Sequence, residues 1–337
     1  MVAHVNAVAH LRCGGDIRDA LRMAGLLTDN RCFFETQDPV CEGPLPTHGF
    51  GATPERARWI ARAWELSEEE CLQRMRSHGQ LHTAVANFEE VCLWFEHDLF
   101  DQASLVELLA RWGANPEAEG VRSRLSLVTL NQHASVDRFV GLGQLRPEVF
   151  AALFDQRISL TPTDFEVASQ AWRALCSSDP RQVETVGESS AFPFLSAALD
   201  RHLEELPSVG AGIGITERLV LERVTAGPCL AVECFQWWMQ TDPQPWLGDL
   251  MFWARLRGLA SGPAPLLLMR GDFPAEYLEL TELGVAVAAG AEDWLQHAEP
   301  SPWEGRRYRG GVEIDPSSAH WRRAHDGALA LTPGLSP

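Results

Sequence analysis

The sequence predicts an α/β fold, with a parallel sheet in the N-terminal part of the chain. Up to about residue 132, four short apolar segments alternate with segments of helical periodicity. These predicted strands are VNAVAHLRC, RCFFET, EVCLWF and LSLVTL, which begin at residues 5, 31, 90 and 125. Such alternation is typical of parallel strands joined by right-handed helical crossovers. We therefore predict a Rossmann-like parallel-sheet domain over residues 1–132.

The helices between and after these strands are predicted from start signals and apolar spacing. Thr53 and Pro54 open one helix, because Thr is a preferred N-cap and Pro is tolerated at the first helical position. Thr161, Pro162 and Asp164 open another in the same way. No strand is expected between residue 131 and the C-terminal hairpin described next, so residues 133–207 are predicted to be a helical region.

The C-terminal part is predicted to be winged-helix-like over residues 208–295. Three helical segments precede a hairpin formed by APLLLMR (264–270) and EYLEL (276–280). Residues 296–337 are predicted to be a tail. Its arginines, in GRRYRGG (305–311) and at positions 322 and 323, form the main basic patch, which we expect to be solvated.

Composition limits the classes of protein to consider. Apolar residues make up 45% of the 337 positions, with 12 Trp and 15 Phe, which is enough for a substantial core and excludes a disordered chain. The net charge of −18 disfavours nucleic acid as a partner, because an acidic surface repels a phosphate backbone. Eight scattered Cys, the lack of a signal peptide and the lack of a membrane-spanning segment predict a cytoplasmic protein with free thiols.

Several phrases of the sequence together resemble one family. They are RCGGDIRDAL, DPVCEGPLP, LWFEHDLFDQ, GLGQL, TERLVL and LGDLMFW, of which the WFEHD stretch is the most specific. The resemblance is to an uncharacterised bacterial family whose N-terminal part is a domain of unknown function, and some of whose members are described as sigma-factor-like. It covers about residues 8 to 290. It implies the two-part layout predicted above and implies no particular activity.

The predicted sheet also indicates where a site would lie. Open parallel sheets bind ligands beyond the carboxyl ends of their strands, at the point where strand order reverses. If the first and third strands are neighbours, the loops that follow them converge. The polar and thiol residues of the three candidate loops are Cys13, Gly14, Gly15 and Asp16 in the first, Asp38, Cys41 and Glu42 in the second, and Glu96, His97, Asp98 and Asp101 in the third.

Carboxylates dominate this candidate site. Glu96 and Asp98 point to the same side of an extended segment, so with Asp16 opposite they could hold a divalent ion such as Mg²⁺. The layout resembles the acidic arrangement of TOPRIM-type nucleotidyl-transfer domains. The alternative is that Asp98 caps the following helix and that Asp101 favours its positive end. Both roles can hold for Asp98.

The imidazole and the thiols have alternatives of their own. Alternation along the strand turns His97 away from Glu96 and Asp98, where it is either structural or a proton-transfer group among acids. Cys13 and Cys41 could approach His97 to form an activated thiolate or a second type of metal site. Buried, inert thiols are the other interpretation.

Cofactor binding at the first loop is the weakest signal. RCGGDI lacks the third Gly of a dinucleotide fingerprint, although a phosphate could still bind at the helix N-terminus, and Gly14, Gly15 and Arg18 are the predicted cofactor-binding residues. Asp16 would repel that phosphate unless a metal intervened. Arg12 or Arg18 could instead offset the negative charge of the crowded acids. Glu42 is expected to line the same cleft in a supporting position. GLGQL (141–145) is interpreted as a turn.

Three functions therefore stay open. The first is an enzyme that acts on a small molecule or nucleotide through the acids and His97, with or without a divalent metal. The second is a transcriptional regulator that binds nucleic acid through the winged helix, although its predicted recognition helix carries only Arg255 and Arg257. The third is a scaffold in which the winged helix mediates a homodimer.

Overall fold

A five-stranded sheet organises the N-terminal half of the protein. The structure is a computed structural model that describes residues 8–36, 38–51, 53–297 and 307–334. The strands lie in the order β2-β1-β3-β4-β5. They are β1 (Val8–Arg12), β2 (Phe33–Glu35), β3 (Glu90–Trp94), β4 (Leu125–Val128) and β5 (Ile158–Ser159). Strands β1 to β4 are parallel, and β5 is antiparallel to β4.

The four predicted strands are confirmed, although residues 5–7 of the first lie outside the described residues, and β1 and β3 are neighbours as the site prediction required. The expectation that no strand follows residue 131 before the C-terminal hairpin is wrong, because β5 joins the sheet and further short strands follow residue 228. Both residues of β5 are exposed, so this two-residue strand has no apolar pattern by which the sequence could indicate it.

Thirteen α-helices lie in the described ranges. They are α1 (Arg18–Met23), α2 (Pro54–Trp64), α3 (Glu68–Gly79), α4 (Leu81–Ala84), α5 (Leu99–Ala114), α6 (Glu119–Arg122), α7 (Pro147–Asp155), α8 (Pro162–Cys176), α9 (Leu195–Glu204), α10 (Ile215–Thr225), α11 (Ala231–Thr241), α12 (Asp249–Ala260) and α13 (Glu282–Ala288). The N-cap of α2 is Thr53 and that of α8 is Thr161, as predicted.

Strand alternation divides the core between the two faces of the sheet. Leu11 and Leu93 face the side on which α5 packs, in the largest buried cluster. Trp94 faces the other side, where Leu21 of α1 and Phe150 of α7 complete a second cluster. Helix α5 is buried along most of its length and packs against α8 and α9, which explains why apolar residues predominate in its sequence.

The C-terminal half contains small antiparallel sheets among helices. Strands β7 (Leu267–Arg270) and β8 (Tyr277–Leu280) form the predicted hairpin, and β6 (Cys229–Leu230) pairs with β8 to complete a three-stranded sheet. Helix α12 packs against α2 of the N-terminal half. The domain boundaries predicted at residues 132, 207 and 295 stay a prediction. Buried side chains contact one another across the first boundary, as the rings of Trp94 and Phe150 do.

The prediction of a solvated C-terminal tail is wrong for residues 307–334. This segment forms the hairpins β9 (Arg307–Arg309) with β10 (Val312–Ile314) and β11 (His320–Arg323) with β12 (Leu329–Thr332). Arg309 and Arg322 are each 4% exposed. Arg309 donates to Glu217 at 2.8 Å, so its charge is neutralised by an acid 92 positions away, which the local sequence could not indicate. The start of the predicted basic patch, residues 305–306, lies outside the described residues.

Within the described ranges, none of the helices combines the length and the apolar character needed to cross a membrane. The eight cysteines are all free thiols.

Candidate active site at the carboxyl edge of the sheet

The candidate site is built where β1 and β3 end side by side. Arg12, the last residue of β1, is in register with Trp94, the last residue of β3. The loops that leave these strands therefore begin next to each other, at the point where the chain order in the sheet reverses. Both strand ends are buried, so polar groups that emerge here must find partners within the protein.

One guanidinium group holds the carboxylates of these loops together. Arg12, 5% exposed, donates to both oxygens of Asp16 at 2.6 and 2.9 Å and to Asp101 Oδ2 at 3.0 Å. It also donates to Glu96 Oε1. We call Arg12, Asp16, Glu96, Asp98 and Asp101 the Arg12 cluster. A planar guanidinium suits this geometry, because it presents five donors in a rigid fork.

The start of α5 positions two members of the cluster. Asp98 caps the helix, since its Oδ1 accepts from the Asp101 N–H at 2.9 Å, which confirms the capping interpretation. Asp101 lies in the first turn, where the helix dipole favours negative charge. Its Oδ2 accepts from the Glu96 N–H at 2.5 Å and so folds the loop back onto β3.

Three of the carboxylates converge closely enough to share an ion. Ligand oxygens of Glu96, Asp98 and Asp101 lie within 4.8 Å of one another, the one such group found among the described residues. Asp101 therefore completes the group in place of Asp16, which was predicted as the third ligand. Asp16 joins the cluster through Arg12 instead, and its side chain is 40% exposed.

Burial raises the pKa of two carboxyl groups in the Arg12 cluster. Burial and the neighbouring Asp101 raise the pKa of Glu96 to about 8, although Arg12 and the Leu142 N–H act in the opposite direction. Burial, Asp101 and Glu96 likewise raise the pKa of Asp98 well above its ordinary value. Near neutral pH Glu96 therefore favours its protonated form, the pKa of Asp98 shifts in the same direction, and Arg12 offsets negative charge in the cluster.

The GLGQL segment, residues 141–145, covers the Arg12 cluster. The Leu142 N–H donates to Glu96 Oε1 at 2.6 Å. A Cβ at Gly141 would lie 2.7 Å from Glu96 Oε2, and a Cβ at Gly143 would lie 3.0 Å from Asp16 Oδ2. The segment is a turn, as interpreted, but its two glycines also allow main chain to approach two acids, which the sequence reasoning did not anticipate.

His97 faces away from the carboxylates. Its ring lies against Phe139 and Phe194, with centroid separations of 5.8 and 6.3 Å. Burial lowers the pKa of His97, although Asp101 opposes this shift, so the ring is neutral near pH 7. Its Nδ1 is buried with no hydrogen-bond partner among the residues that the structure describes. The predicted orientation of His97 matches this placement, and a proton-transfer role for it stays a prediction.

The predicted thiols lie beside the carboxylates but as protonated groups. Cys13 Sγ donates to Asp101 Oδ1 at 2.6 Å. Burial and adjacent acids raise the pKa of both Cys13 and Cys41 well above the ordinary thiol value, which disfavours a thiolate nucleophile or ligand. Cys13, Cys41 and His97 do not converge as a three-ligand group in the described parts of the chain.

The residues predicted to bind a cofactor at the first loop have other contacts in the structure. Arg18 pairs with Glu35 and lies over the Phe33 ring, and a Cβ at Gly15 would lie 3.1 Å from Glu35 Oε1. Gly14 adjoins Asp16, so the Gly14–Gly15 turn brings the first loop to the cluster. Gly14, Gly15 and Arg18 were predicted to bind a cofactor at the N-terminus of α1. That helix has only six residues, so it gives little support to a phosphate site there.

The second loop is occupied by buried ion pairs. Asp38 pairs with Arg56 at 2.7 Å, and Glu42 pairs with Arg255 at 2.7 Å. Glu42 therefore neutralises an arginine of α12 rather than supporting the Arg12 cluster. Its partner lies 213 positions away, and no local signal could have indicated it.

Sequence reasoning gave too little weight to Arg12 and Asp101, and it missed Gln102. Gln102 is 1% exposed, donates through Nε2 to the Glu96 carbonyl, and leaves Oε1 without a described partner. The spacing of Asp98, Asp101 and Gln102 could have indicated them, because residues three and four apart share a helix face.

No protein-family model matches the chain, and no curated protein matches it either. The fold and the site together define an α/β protein with a mostly parallel sheet and a buried carboxylate cluster at its carboxyl edge. The resemblance to an uncharacterised bacterial family stays an expectation.

Proposed function

We propose that this protein is an enzyme that acts on a small molecule by acid–base chemistry at the Arg12 cluster. One observation carries the proposal: Glu96, whose pKa is raised to about 8, is held by Arg12 at the switch point between β1 and β3. Strongly shifted carboxyl groups concentrate at functional sites, because a proton donor works best with a pKa near the working pH.

The proposed role of each carboxyl group in the cluster follows from how exposed its side chain is. Asp16 is the exposed member of the cluster, so it contacts the substrate at the rim beside Gly15. Glu96 and Asp98 lie behind it with their protons. When Glu96 gives its proton to the substrate, Arg12 and the Leu142 N–H stabilise the carboxylate that remains. The free oxygen of Glu96, Oε2, faces Gly141 and is the atom from which that proton leaves.

A divalent ion held by Glu96, Asp98 and Asp101 is the metal-dependent form of this proposal. The convergence of their oxygens supports it, and carboxylates are the ligands that Mg²⁺ prefers. Arg12 acts against it, because the guanidinium already contacts oxygens of Glu96 and Asp101 that an ion would need. An ion would also displace the protons of Glu96 and Asp98, so its binding would release protons and strengthen as pH rises.

The experiment is an untargeted activity assay. Purified protein is incubated with a metabolite extract, with Mg²⁺ or with EDTA, and metabolites that change are identified by mass spectrometry. We expect turnover that Glu96→Gln removes while the melting temperature changes little. Glu90→Gln is the matched control, because Glu90 begins β3, the strand that Glu96 follows, and so lies at the amino end of the sheet, away from the Arg12 cluster. Equal turnover by the Glu96 variant, or no turnover at all, would contradict the proposal.

A winged-helix regulator is the second candidate. The order α10, β6, α11, α12, β7, β8 supports a winged-helix arrangement of residues 215–280. The charges of α12 argue against nucleic-acid readout, since Arg255 pairs with Glu42 and Arg257 with Glu65 and the Ala63 carbonyl. Base and phosphate contacts need available cations. We therefore expect no tight duplex binding at physiological salt, and a nanomolar, salt-sensitive complex would favour the regulator.

A further inference from the structure

A concave site lies near the amino ends of the parallel strands, at the opposite end of the strands from the Arg12 cluster. A cleft of about 780 Å³ runs between α8 and the end of α5, and we call it the α8 cleft. Helix α5 begins at the Arg12 cluster and ends at this cleft, so its 16 residues separate the two sites by about 24 Å at the usual helical rise. The α8 cleft is therefore distinct from the candidate active site.

One face of α8 forms a wall of the cleft. Pro162, Phe165, Glu166, Ser169, Gln170 and Arg173 line it with helical spacing. The opposite face, which includes Ala168, Ala171 and Leu175, is buried in the core. The lining face therefore combines a partly buried aromatic ring with polar groups, of which Gln170 also accepts from the Gly187 N–H at 3.1 Å.

Arg122, on the other wall, is held in a fixed position. Its Nη1 donates to three carbonyl oxygens at the end of α5, those of Trp112, Gly113 and Asn115, at 2.9, 3.1 and 3.2 Å. Its Nε and Nη2 make no hydrogen bond within the described ranges. An arginine fixed on one side presents the other side as a preorganised pair of donors, which is the geometry that binds a carboxylate or phosphate through two bonds.

Arg173 supplies a second positive charge. It is exposed and forms no ion pair or hydrogen bond with a described residue. The protein carries 46 acids against 28 cations, so an arginine on the lining of a cleft without an acidic partner is available to a ligand. Glu119 and Glu166, also on the lining, can accept hydrogen bonds from hydroxyl or amino groups of that ligand.

We propose that the α8 cleft binds a small organic anion. Its carboxylate or phosphate contacts Arg122 and Arg173, and its apolar part lies against Phe165 and Leu160. The volume lies within the range of small-molecule sites. Gly113 lines the cleft opposite Phe165; a Cβ there would make only an ordinary contact with the Phe165 ring at 3.5 Å, whereas a larger side chain would extend into the space.

The test is calorimetric titration of the full chain with four probes: AMP, phenylacetate, inorganic phosphate and adenosine. We expect saturable binding of AMP if the ligand is a phosphate, or of phenylacetate if it is a carboxylate, with competition from inorganic phosphate. Adenosine lacks the charge and should bind at least about tenfold more weakly, since a hydrogen bond to a charged group contributes more than one tenfold step.

Variants locate the binding. Arg173→Gln should weaken binding of the charged probe about tenfold. Arg76→Gln, on an exposed arginine of α3 that is likewise without a described partner, should leave it unchanged. Gly113→Leu should abolish binding by filling the cleft. Arg122→Gln is a weaker test, because Arg122 also holds the end of α5 and its loss can unfold the helix end.

The outcomes are decisive and separate from those of the active site. Failure of AMP, phenylacetate and phosphate to bind, or binding that survives both Arg173→Gln and Gly113→Leu, overturns the proposal. Glu96→Gln should leave probe binding unchanged, so loss of binding in that variant would assign the anion to the Arg12 cluster instead.

Discussion

Arg12 illustrates how one residue can decide the chemistry of a site. Its guanidinium contacts Asp16 of the following loop, Glu96 after β3 and Asp101 in α5. One positive charge cannot neutralise all the acids nearby, and burial keeps water away. Burial therefore raises the pKa of both Glu96 and Asp98 and favours their protonated forms, because an uncharged carboxyl group loses less hydration energy on burial than a carboxylate.

The raised pKa of Glu96 predicts a pH dependence of stability. The folded protein holds a proton up to about pH 8, whereas the unfolded chain releases it near 4.5. Rising pH between these values therefore favours the unfolded chain, and the stability contribution of Glu96 falls over this window. Because Gln cannot titrate, the free energy of unfolding of Glu96→Gln relative to wild type should increase steadily from pH 5 to pH 8.

Urea unfolding at four pH values within that window measures the effect. The matched control is Glu90→Gln, because hydrogen bonding to Arg157 lowers the pKa of Glu90 and its contribution is lost only at acidic pH. Its difference from wild type should be constant between pH 5 and 8. Parallel curves for wild type and Glu96→Gln would show that Glu96 titrates normally.

At the scale of elements, the candidate site depends on the meeting of two strand ends, one helix start and one loop. Strands β1 and β3 bring Arg12 and Glu96 together, and α5 contributes Asp98 and Asp101. Segment 141–145 closes the cluster from a position that is distant in sequence. The elements are secured by side-chain contacts, so a small change in the covering loop should affect the acids.

Gly141→Ala tests this contact between the loop and Glu96. The added Cβ would lie 2.7 Å from Glu96 Oε2. This distance is too short for a contact, so the loop or the Glu96 side chain must move. We expect a loss of about 1–3 kcal/mol of stability, the usual range for overpacking a buried site. Thermal or urea unfolding measures it.

Gly120→Ala is the matched control, because an added Cβ in α6 meets no atom within 4 Å. Alanine favours helix over glycine, so this variant should be neutral or stabilised by up to about 1 kcal/mol. If both glycine variants behave alike, the loop does not press on Glu96 in solution.

At the scale of the whole molecule, buried ion pairs connect distant parts of the chain. Glu42 of the N-terminal half pairs with Arg255 of α12, and Arg309 of β9 pairs with Glu217 of α10. Burial alone would raise the pKa of the adjacent Glu205, but Arg201, Arg255 and Arg309 lower it to about 2. Glu205 is therefore charged at neutral pH, and two of the arginines that hold its charge, Arg255 and Arg309, come from other segments of the chain.

Arg255→Met should destabilise the protein by about 3–5 kcal/mol, because it leaves Glu42 buried and without its partner. Chemical denaturation measures the loss. The exposed pair Arg74–Glu70 supplies the control, since Arg74→Met should cost no more than about 1 kcal/mol. The double variant Glu42→Gln, Arg255→Met should regain part of the loss. Equal effects of Arg255→Met and Arg74→Met would contradict a structural role for the buried pair.

The sequence by itself determined the elements that depend on local pattern. Apolar runs of strand length gave β1 to β4, and Thr53, Asp98 and Thr161 marked helix starts, because caps and periodicity act over a few residues. The general location of the acids also followed, since the carboxyl ends of neighbouring parallel strands share one edge of a sheet.

Tertiary structure decided which charges meet. Asp16 was predicted to be a ligand and Glu42 to support it in the same cleft, yet Asp16 contacts Arg12 four positions away and Glu42 contacts Arg255 at a distance of 213 positions. The arginines of the predicted tail became buried partners of helix acids for the same reason. A charge must be neutralised wherever burial places it, and the partner is fixed by packing between distant segments, which local sequence patterns do not encode.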